Sequence, residues 1–303
     1  MIKIAEILKH KENDIKTLWN YIKKYNPDID EFGNITLVKG KAPYDCFVAH
    51  LDTVHQDNPE PSFFGEYVTS VNGHGIGGDD KCGIIACLDL IEKLDNVKVV
   101  LFTEEERGGI GSKSFDASFL KDVKYVIEID RKGQHDFIQN SGNVELCTDE
   151  FVKEFISLNK DYKTERGTFT DVNNLRYKVP VCMANISSGY YNPHSYKEYI
   201  NLKHLQNTID AIHKFAKRNK KIWEFECPKS LSYYSSHWWE DYTKDTSLFE
   251  KYSKLNELND KNLTYICPDC GFYLTRKKGC LKTYVCENCK CQFTKKELEE
   301  GAK

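Results

Sequence analysis

The chain has 303 residues, 40% hydrophobic and 29% charged, with a formal net charge of -3. That balance gives no global electrostatic case for binding nucleic acid or membrane, and no apolar run approaches the roughly 18 residues that span a bilayer. The amino-terminal stretch lacks the apolar core of a signal peptide, so a cytoplasmic protein with no membrane association is expected.

In chain order, Ile4, Ile7, Leu8, Ile15, Leu18, Trp19 and Ile22 recur at helical spacing within residues 2–24. Strand-like apolar runs follow at 34–40, 44–52, 97–103, 123–130 and 179–187, and helical patterns at 82–95, 112–120, 148–160 and 201–218. Strands that are apolar throughout, alternating with helices, predict an α/β fold: a three-layer αβα domain with a mostly parallel central sheet, over residues 1–220. Residues 221–262 lose this rhythm and are rich in Trp, Tyr and Phe, which predicts a connecting segment packed on a domain rather than a flexible linker.

Twelve cysteines divide into six scattered ones and six between Cys267 and Cys291. In the second group, Cys267-x-x-Cys270 and Cys286-x-x-Cys289 are separated by fifteen residues, the spacing of a zinc ribbon over 263–303 with one structural Zn2+. Cys280 and Cys291 leave the fourth ligand open. Arg276, Lys277, Lys278 and Lys282 lie near Tyr273 and Tyr284, which fits nucleic-acid docking, but protein docking or a purely structural role is the stronger expectation.

The remaining polar signals fall at strand ends. "CFVAHLDTV" finishes an apolar run on His50 and Asp52. A glycine-rich loop carries Asp79 and Asp80, and Glu104, Glu105 and Glu106 follow the run at 97–103. The run at 123–130 ends on Asp130, and His194 precedes the last helical pattern. Singly, each has an ordinary reading: a polar strand end, a helix cap, an acidic turn, a surface loop. Together, at the carboxyl ends of strands in an α/β sheet, they make a mixed nitrogen and oxygen donor set suited to zinc, cobalt or manganese.

Five motifs in this order, "AHLDTV", "GGDDKCG", "EERGGIGS", "EIDRKG" and "NPHSYKEYINL", resemble the co-catalytic metallopeptidases of the M20 and M28 type over roughly residues 35–215. The resemblance implies a zinc-exopeptidase-like fold holding two catalytic Zn2+ (Co2+ or Mn2+ in their place). Asp79 would bridge the ions, His50 and Asp130 would complete one ligand set, and Glu106 and His194 the other. Glu105 would be the general base, and Asp52 would hold the ring of His50. Of the two frames the three glutamates allow, the glycine pattern that follows selects Glu105 and Glu106. The resemblance also implies a cis peptide bond between Asp79 and Asp80.

Many members insert a lid between the positions of Asp130 and His194, but only 63 residues lie between them here, enough for a strand, a helix, a loop and another strand. A lidless domain is expected. Substrate contacts would then come from its own loops, with Thr170, Asp171 and Asn173, or Tyr190 and Tyr191, as candidates. The expected activity is hydrolysis of a peptide or amide bond by an aminopeptidase or small-peptide exopeptidase. The alternatives are deacylation of an N-acyl small molecule, or a non-catalytic protein that docks through its ribbon.

Overall fold

The computed structural model describes residues 4–9, 15–228, 274–276, 283–286 and 291–294. The chain divides into two units, residues 1–228 and 229–303. The first begins with helices α1 (Ile4–Leu8) and α2 (Ile15–Ile22), then strands β1 (Asp28–Ile29), β2 (Ile35–Lys39) and β3 (Tyr44–His50). A hairpin, β4 (Pro61–Phe64) and β5 (Tyr67–Ser70), precedes α3 (Gly78–Lys93), β6 (Val97–Phe102), α4 (Ile110–Ser114) and β7 (Val123–Arg131). There follow β8 (Asp136–Ser141), β9 (Val144–Glu145), α5 (Asp149–Leu158), β10 (Lys163–Gly167) and α6 (Asp171–Leu175). The unit closes with β11 (Met183–Ser187), β12 (Tyr190–Tyr191), β13 (Tyr199–Asn201) and α7 (Leu202–Arg218).

Nine strands form one sheet in the order β1-β2-β6-β3-β7-β11-β8-β10, with β9 paired to β8. Its central strands β6, β3, β7 and β11 are parallel. Antiparallel pairing occurs toward the edges, where β2 meets β6 and β8 meets β11. Alternate side chains of the central strands enter two cores. Phe47, Ala49, Val99 and Ile127 pack with residues of α1, α2, α3, α5 and α7, whereas Cys46, Val48, Val100 and Val126 pack with Phe115, Leu120, Val172 and Leu175. The result is the helix–sheet–helix layering that the apolar runs predict. Connections leave β3 toward β6 and β7 toward β11, on opposite sides, so the crevice between β3 and β7 opens at the carboxyl ends of the strands. This is where ligands gather in sheets of this kind.

Several boundaries differ from the sequence expectation. The helix expected at 82–95 begins at Gly78 and contains non-helical backbone at Asp79 and Asp80. The run at 112–120 splits into α4 and a 3-10 turn, Ala117–Leu120, because Asp116 caps the second piece by accepting from the Ser118 amide. The strand expected at 179–187 starts only at Met183, and Val181 forms an isolated bridge with Glu224. The hairpin β4–β5 and strands β12 and β13 form a second sheet, β12-β13-β5-β4, that the apolar pattern does not signal. Residues 221–228 are built into the first unit: Trp223 is buried, meets Phe151 edge-on with ring centroids 5.3 Å apart, and donates to Asn219 Oδ1 at 2.8 Å.

In the second unit, three short antiparallel strands are described: β14 (Leu274–Arg276), β15 (Thr283–Cys286) and β16 (Gln292–Thr294), in that spatial order. Cys267, Cys270 and Cys289 lie outside the described residues, as does the side chain of Cys286.

Candidate metal centre

The end of β3 delivers His50 into the crevice, fully buried. Its Nδ1 lies 2.9 Å from the carbonyl oxygen of Asp52 and 3.4 Å from that residue's Oδ1. Its backbone amide donates to Asp80 Oδ2 at 3.2 Å. Asp52 holds a second element as well, its two oxygens accepting from the backbone amides of Glu105 and Glu106, each at 3.0 Å. Asp52 thus ties the loop after β6 to the end of β3, and supports the His50 ring as much through its carbonyl as through its carboxylate.

Asp79 stands between two histidines. Its Oδ1 is 3.1 Å from His50 Nε2, and its Oδ2 is 3.2 Å from His194 Nε2. On the His50 side, Asp130 Oδ1 lies 3.7 Å from Nε2. On the other side, Glu106 Oε1 lies 2.9 Å from His194 Nε2. The Asp79–Asp80 peptide bond is cis. Space for this turn depends on Gly83, where a Cβ would come within 2.4 Å of both Asp80 Oδ2 and the Ile129 carbonyl.

The site crowds carboxyl groups beyond what two imidazoles balance. Burial, with the charge of Asp79, pushes Glu106 up to about 7 and Asp130 up to about 6. Burial also raises Asp80 well above the carboxylate range. Glu105 rises to about 10, through burial first and repulsion from Asp130, Asp171 and Glu128, against the pull of His50. Burial opposes charge on His50, but Asp130, Asp52 and Asp79 outweigh it and raise its pKa. His194 rises to about 9 through its hydrogen bond to Asp79, with Glu106 adding and burial opposing. Donor atoms of His50, Asp79 and Glu106 lie within 4.8 Å of one another, as do those of His50, Asp80 and Asp130. Such a donor set fits divalent cations, whose charge relieves the carboxylate repulsion.

All five residues expected as metal ligands therefore converge. Tyr190 is drawn in too, its hydroxyl donating to Asp130 Oδ1 at 3.0 Å, and Thr170 Oγ1 sits 3.5 Å from Asp130 Oδ2. Neither geometry is that of an open substrate contact, since both residues are buried. Asp171 has no exposed surface, and burial pushes its carboxyl up to about 7. It offers no surface to a substrate, and its amide donates to Glu128 Oε1 at 3.1 Å. Asn173 is buried and completes a capping box with Thr170, each side chain bonding the other's backbone amide. Tyr191 turns away, its hydroxyl 2.7 Å from His204 Nδ1 and its ring stacked on Tyr199.

Sequence reasoning missed several supports. Asn185 accepts from the Asp130 amide at 3.0 Å and donates to its carbonyl at 2.8 Å. Glu128 accepts from the amides of Asp171 and Val172. Glu198 accepts from the amide of Asp79. Glu128, a charged residue inside the apolar run at 123–130, carried an available signal, whereas Glu198 lies in a motif already singled out but among polar residues that give it none.

A dense cluster of imidazoles and carboxylates, at strand ends and in the loops that follow them in a parallel-centred α/β sheet, fits the class of metal-dependent hydrolases. The chain belongs to the peptidase family M20/M25/M40, whose model matches residues 46–218. It is thus a member of a hydrolase family whose peptidases depend on metal. Comparison with curated proteins gives no match. Among solved structures, the aminopeptidase PepT of Bacillus cereus superposes with a TM-score of 0.61 at 13% identity, over 71% of this chain and 96% of that one. A tripeptidase of Staphylococcus aureus gives 0.56 at 14% identity, covering 71% and 96%. An aminopeptidase of the archaeon Desulfurococcus kamchatkensis gives 0.56 at 15%, covering 71% and 95%. At these identities the likeness establishes the fold. Among the described residues no helix is long and apolar enough to cross a membrane.

Proposed function

We propose that the chain is a two-metal exopeptidase acting on small peptides from their amino end. The observation that carries this reading is the placement of Asp79, with one carboxylate oxygen facing each histidine at 3.1 and 3.2 Å. His50, Asp79 and Asp130 would hold one ion, and His194, Asp79 and Glu106 the other, zinc being the first choice for this donor set, with cobalt or manganese able to replace it. When bound, the ions would polarise the scissile carbonyl and lower the pKa of water to supply the nucleophile.

The protein's own part begins with Glu105. Asp52 fixes the backbone of Glu105 beside that of Glu106, so base and ligand keep one register. Burial and the repulsion of neighbouring carboxylates raise the Glu105 pKa; cationic charge at the site would oppose both, so that its carboxylate could accept the proton of the attacking water and pass it to the leaving amine. Between Asp130 and His194, β8, β9, β10 and β11 join the main sheet, α5 and α6 pack on it, and β12 joins the second sheet, more strands than the sequence predicts but with no separate domain among them, which supports a lidless reading. The names of the B. cereus and S. aureus neighbours support aminopeptidase or tripeptidase activity. The cysteine spacing supports one further zinc, on Cys267, Cys270, Cys286 and Cys289.

The test is metal content by mass spectrometry, combined with hydrolysis of dipeptides, tripeptides, aminoacyl amides and N-acyl amino acids. We expect about three metals per chain, two catalytic and one structural, and turnover confined to substrates with a free amino end. Preference for N-acyl amino acids would replace the peptidase reading by a deacylase one. In the same assay Glu105→Gln should keep its metals and lose about 10^2- to 10^4-fold in kcat. Full activity would remove Glu105 as the base.

A further inference from the structure

Glu198 carries a carboxyl group with no exposed surface at all. Its Oε2 accepts from the Gly77 amide at 2.8 Å and lies 2.8 Å from His55 Nε2. Its Oε1 accepts from the Asp79 amide at 3.0 Å. Three segments far apart in sequence meet on one side chain: the loop after β3, the glycine-rich loop before α3, and the loop that leads from His194 into β13. Glu198 is itself fixed, its amide donating to the Ser195 carbonyl at 3.1 Å and its own carbonyl accepting from Thr69 Oγ1 at 3.3 Å. The glycine-rich loop is shaped to this contact. A Cβ on Gly75 would fall 2.0 Å from the His55 ring, and one on Gly78 would fall 2.7 Å from Tyr190 Cβ. Lys81, also buried, adds a second tie by donating to the Ile76 carbonyl at 3.0 Å.

We propose that Glu198 and His55 form a positioning clamp that sets the direction of Asp79. The inference rests on the bridging role proposed for that residue. A bridging carboxylate has to present one oxygen to each of two sites, so an error in its backbone tilts both at once. Hydrogen bonds to a carboxyl group from two neighbouring amides fix that backbone more firmly than a single neutral bond would. Glu198 also lies four residues beyond His194, so the clamp sets the spacing between His194 and Asp79. His55 completes the set, bringing the segment that follows His50 and Asp52 into the same hydrogen-bonded group.

Gln cannot replace Glu here without loss. With its amide nitrogen at the Oε1 position it faces the Asp79 amide, and at the Oε2 position it faces the Gly77 amide. Either way one donor meets a donor. The probe is Mn2+ alone, titrated into the metal-free full chain, with binding followed by calorimetry and by the spin-coupled EPR signal of a dinuclear pair. Thermal unfolding of the metal-free protein is measured alongside. E198Q should weaken Mn2+ binding by about 10- to 100-fold, the usual effect of losing a group that orients a ligand, and should lose the coupled signal. A merely structural role would lower the melting temperature and leave Mn2+ affinity within twofold of the wild type, and that result overturns the clamp. Should E198Q fail to fold, His55→Ala and His55→Gln decide. Weaker binding in H55A that H55Q restores supports the clamp, and wild-type affinity in both overturns it. A wild-type chain that binds Mn2+ without a coupled signal instead overturns the bridging role of Asp79.

Discussion

His50 and His194 reach the two oxygens of Asp79 from different surroundings. His50 ends a central strand, and its side chain is 1% exposed. Asp80 holds its backbone and the Asp52 carbonyl faces its ring. His194 sits in a loop at a left-handed φ of 59°, and its side chain is 53% exposed. Their partners differ less in burial than in what holds them: Asp130 is pinned by Asn185 and Tyr190, whereas Glu106, in the turn after β6, is held through its backbone amide by Asp52 and pairs with the exposed His194. One half of the centre belongs to the folded core and the other half is the open face. Under the proposed function, the His50 half should act as scaffold and the His194 half should meet the substrate.

The most severe way to break this comparison is to remove what the halves share. Asp79→Ala should abolish binding of both catalytic ions and reduce hydrolysis by at least about 10^3-fold, equivalent to several kcal/mol of transition-state stabilisation. Metal analysis of the purified variant checks it, and two retained catalytic ions would show that Asp79 does not bridge. Next comes the contrast between the histidines. His50→Ala and His194→Ala should both weaken metal binding, but they should part in the metal-free protein. Removing His50 leaves buried Asp79 and Asp130 without their imidazole, a loss of about 3–5 kcal/mol for a broken buried pair. Removing the half-exposed His194 should cost about 1 kcal/mol or less. Urea denaturation in the presence of a chelator measures both, and equal losses would erase the distinction between scaffold and open face.

The same division separates what was legible in the sequence from what was not. The convergence of His50, Asp79, Glu106, Asp130 and His194 could be expected because each is a donor at a strand end or in a loop or turn beyond one, and the order of five motifs restricts the match. The sheet's central strands were legible because burial on both faces leaves continuous apolar runs such as "VKVVLF". The supports were not legible. Glu198, Asn185 and His55 act by folding against segments more than fifty residues away; nothing local distinguishes Glu198 or His55 from surface polar residues, and only Asn185, inside the apolar run at 179–187, is marked as buried, without a sign of its partner. The hairpin β4–β5 was missed for a different reason. Phe63, Phe64 and Tyr67 are exposed, so the strands show no clean alternation, although the two-residue turn at Gly65, with φ at 62°, is an ordinary hairpin signal. The sequence predicts a loop where α6 forms, because its five residues are too few to show a helical period.

The smallest expected effect is on pH dependence, and it sharpens the comparison further. In the metal-free protein Asp130 is pushed up to about 6, Glu106 to about 7 and His194 to about 9. His50 is raised in the same direction. Each raised group holds its proton more tightly in the folded state than in the unfolded chain. The stability this contributes is complete below the unfolded pKa and is lost as pH rises through the folded one. Asp79 and Asp52 are shifted down, so their opposite contribution changes only at acid pH, below the ordinary range for aspartate. The melting temperature of the chelated protein should therefore fall from about pH 5 to about pH 9. Over the same interval metal affinity should rise, because the ions displace these protons. The buried Asp130 contributes to the lower part of the fall, together with Asp171 and Glu105, whereas Glu106 and the exposed His194 contribute to the upper part. His194→Ala should accordingly flatten the curve between about pH 7 and 9, leaving the shares due to His50, Glu105 and Asp80, and should preserve the slope below. Thermal scans in chelator across this range test it, and a melting temperature that climbs toward pH 9 would mean that these carboxyl groups and imidazoles are not packed against one another as the structure places them.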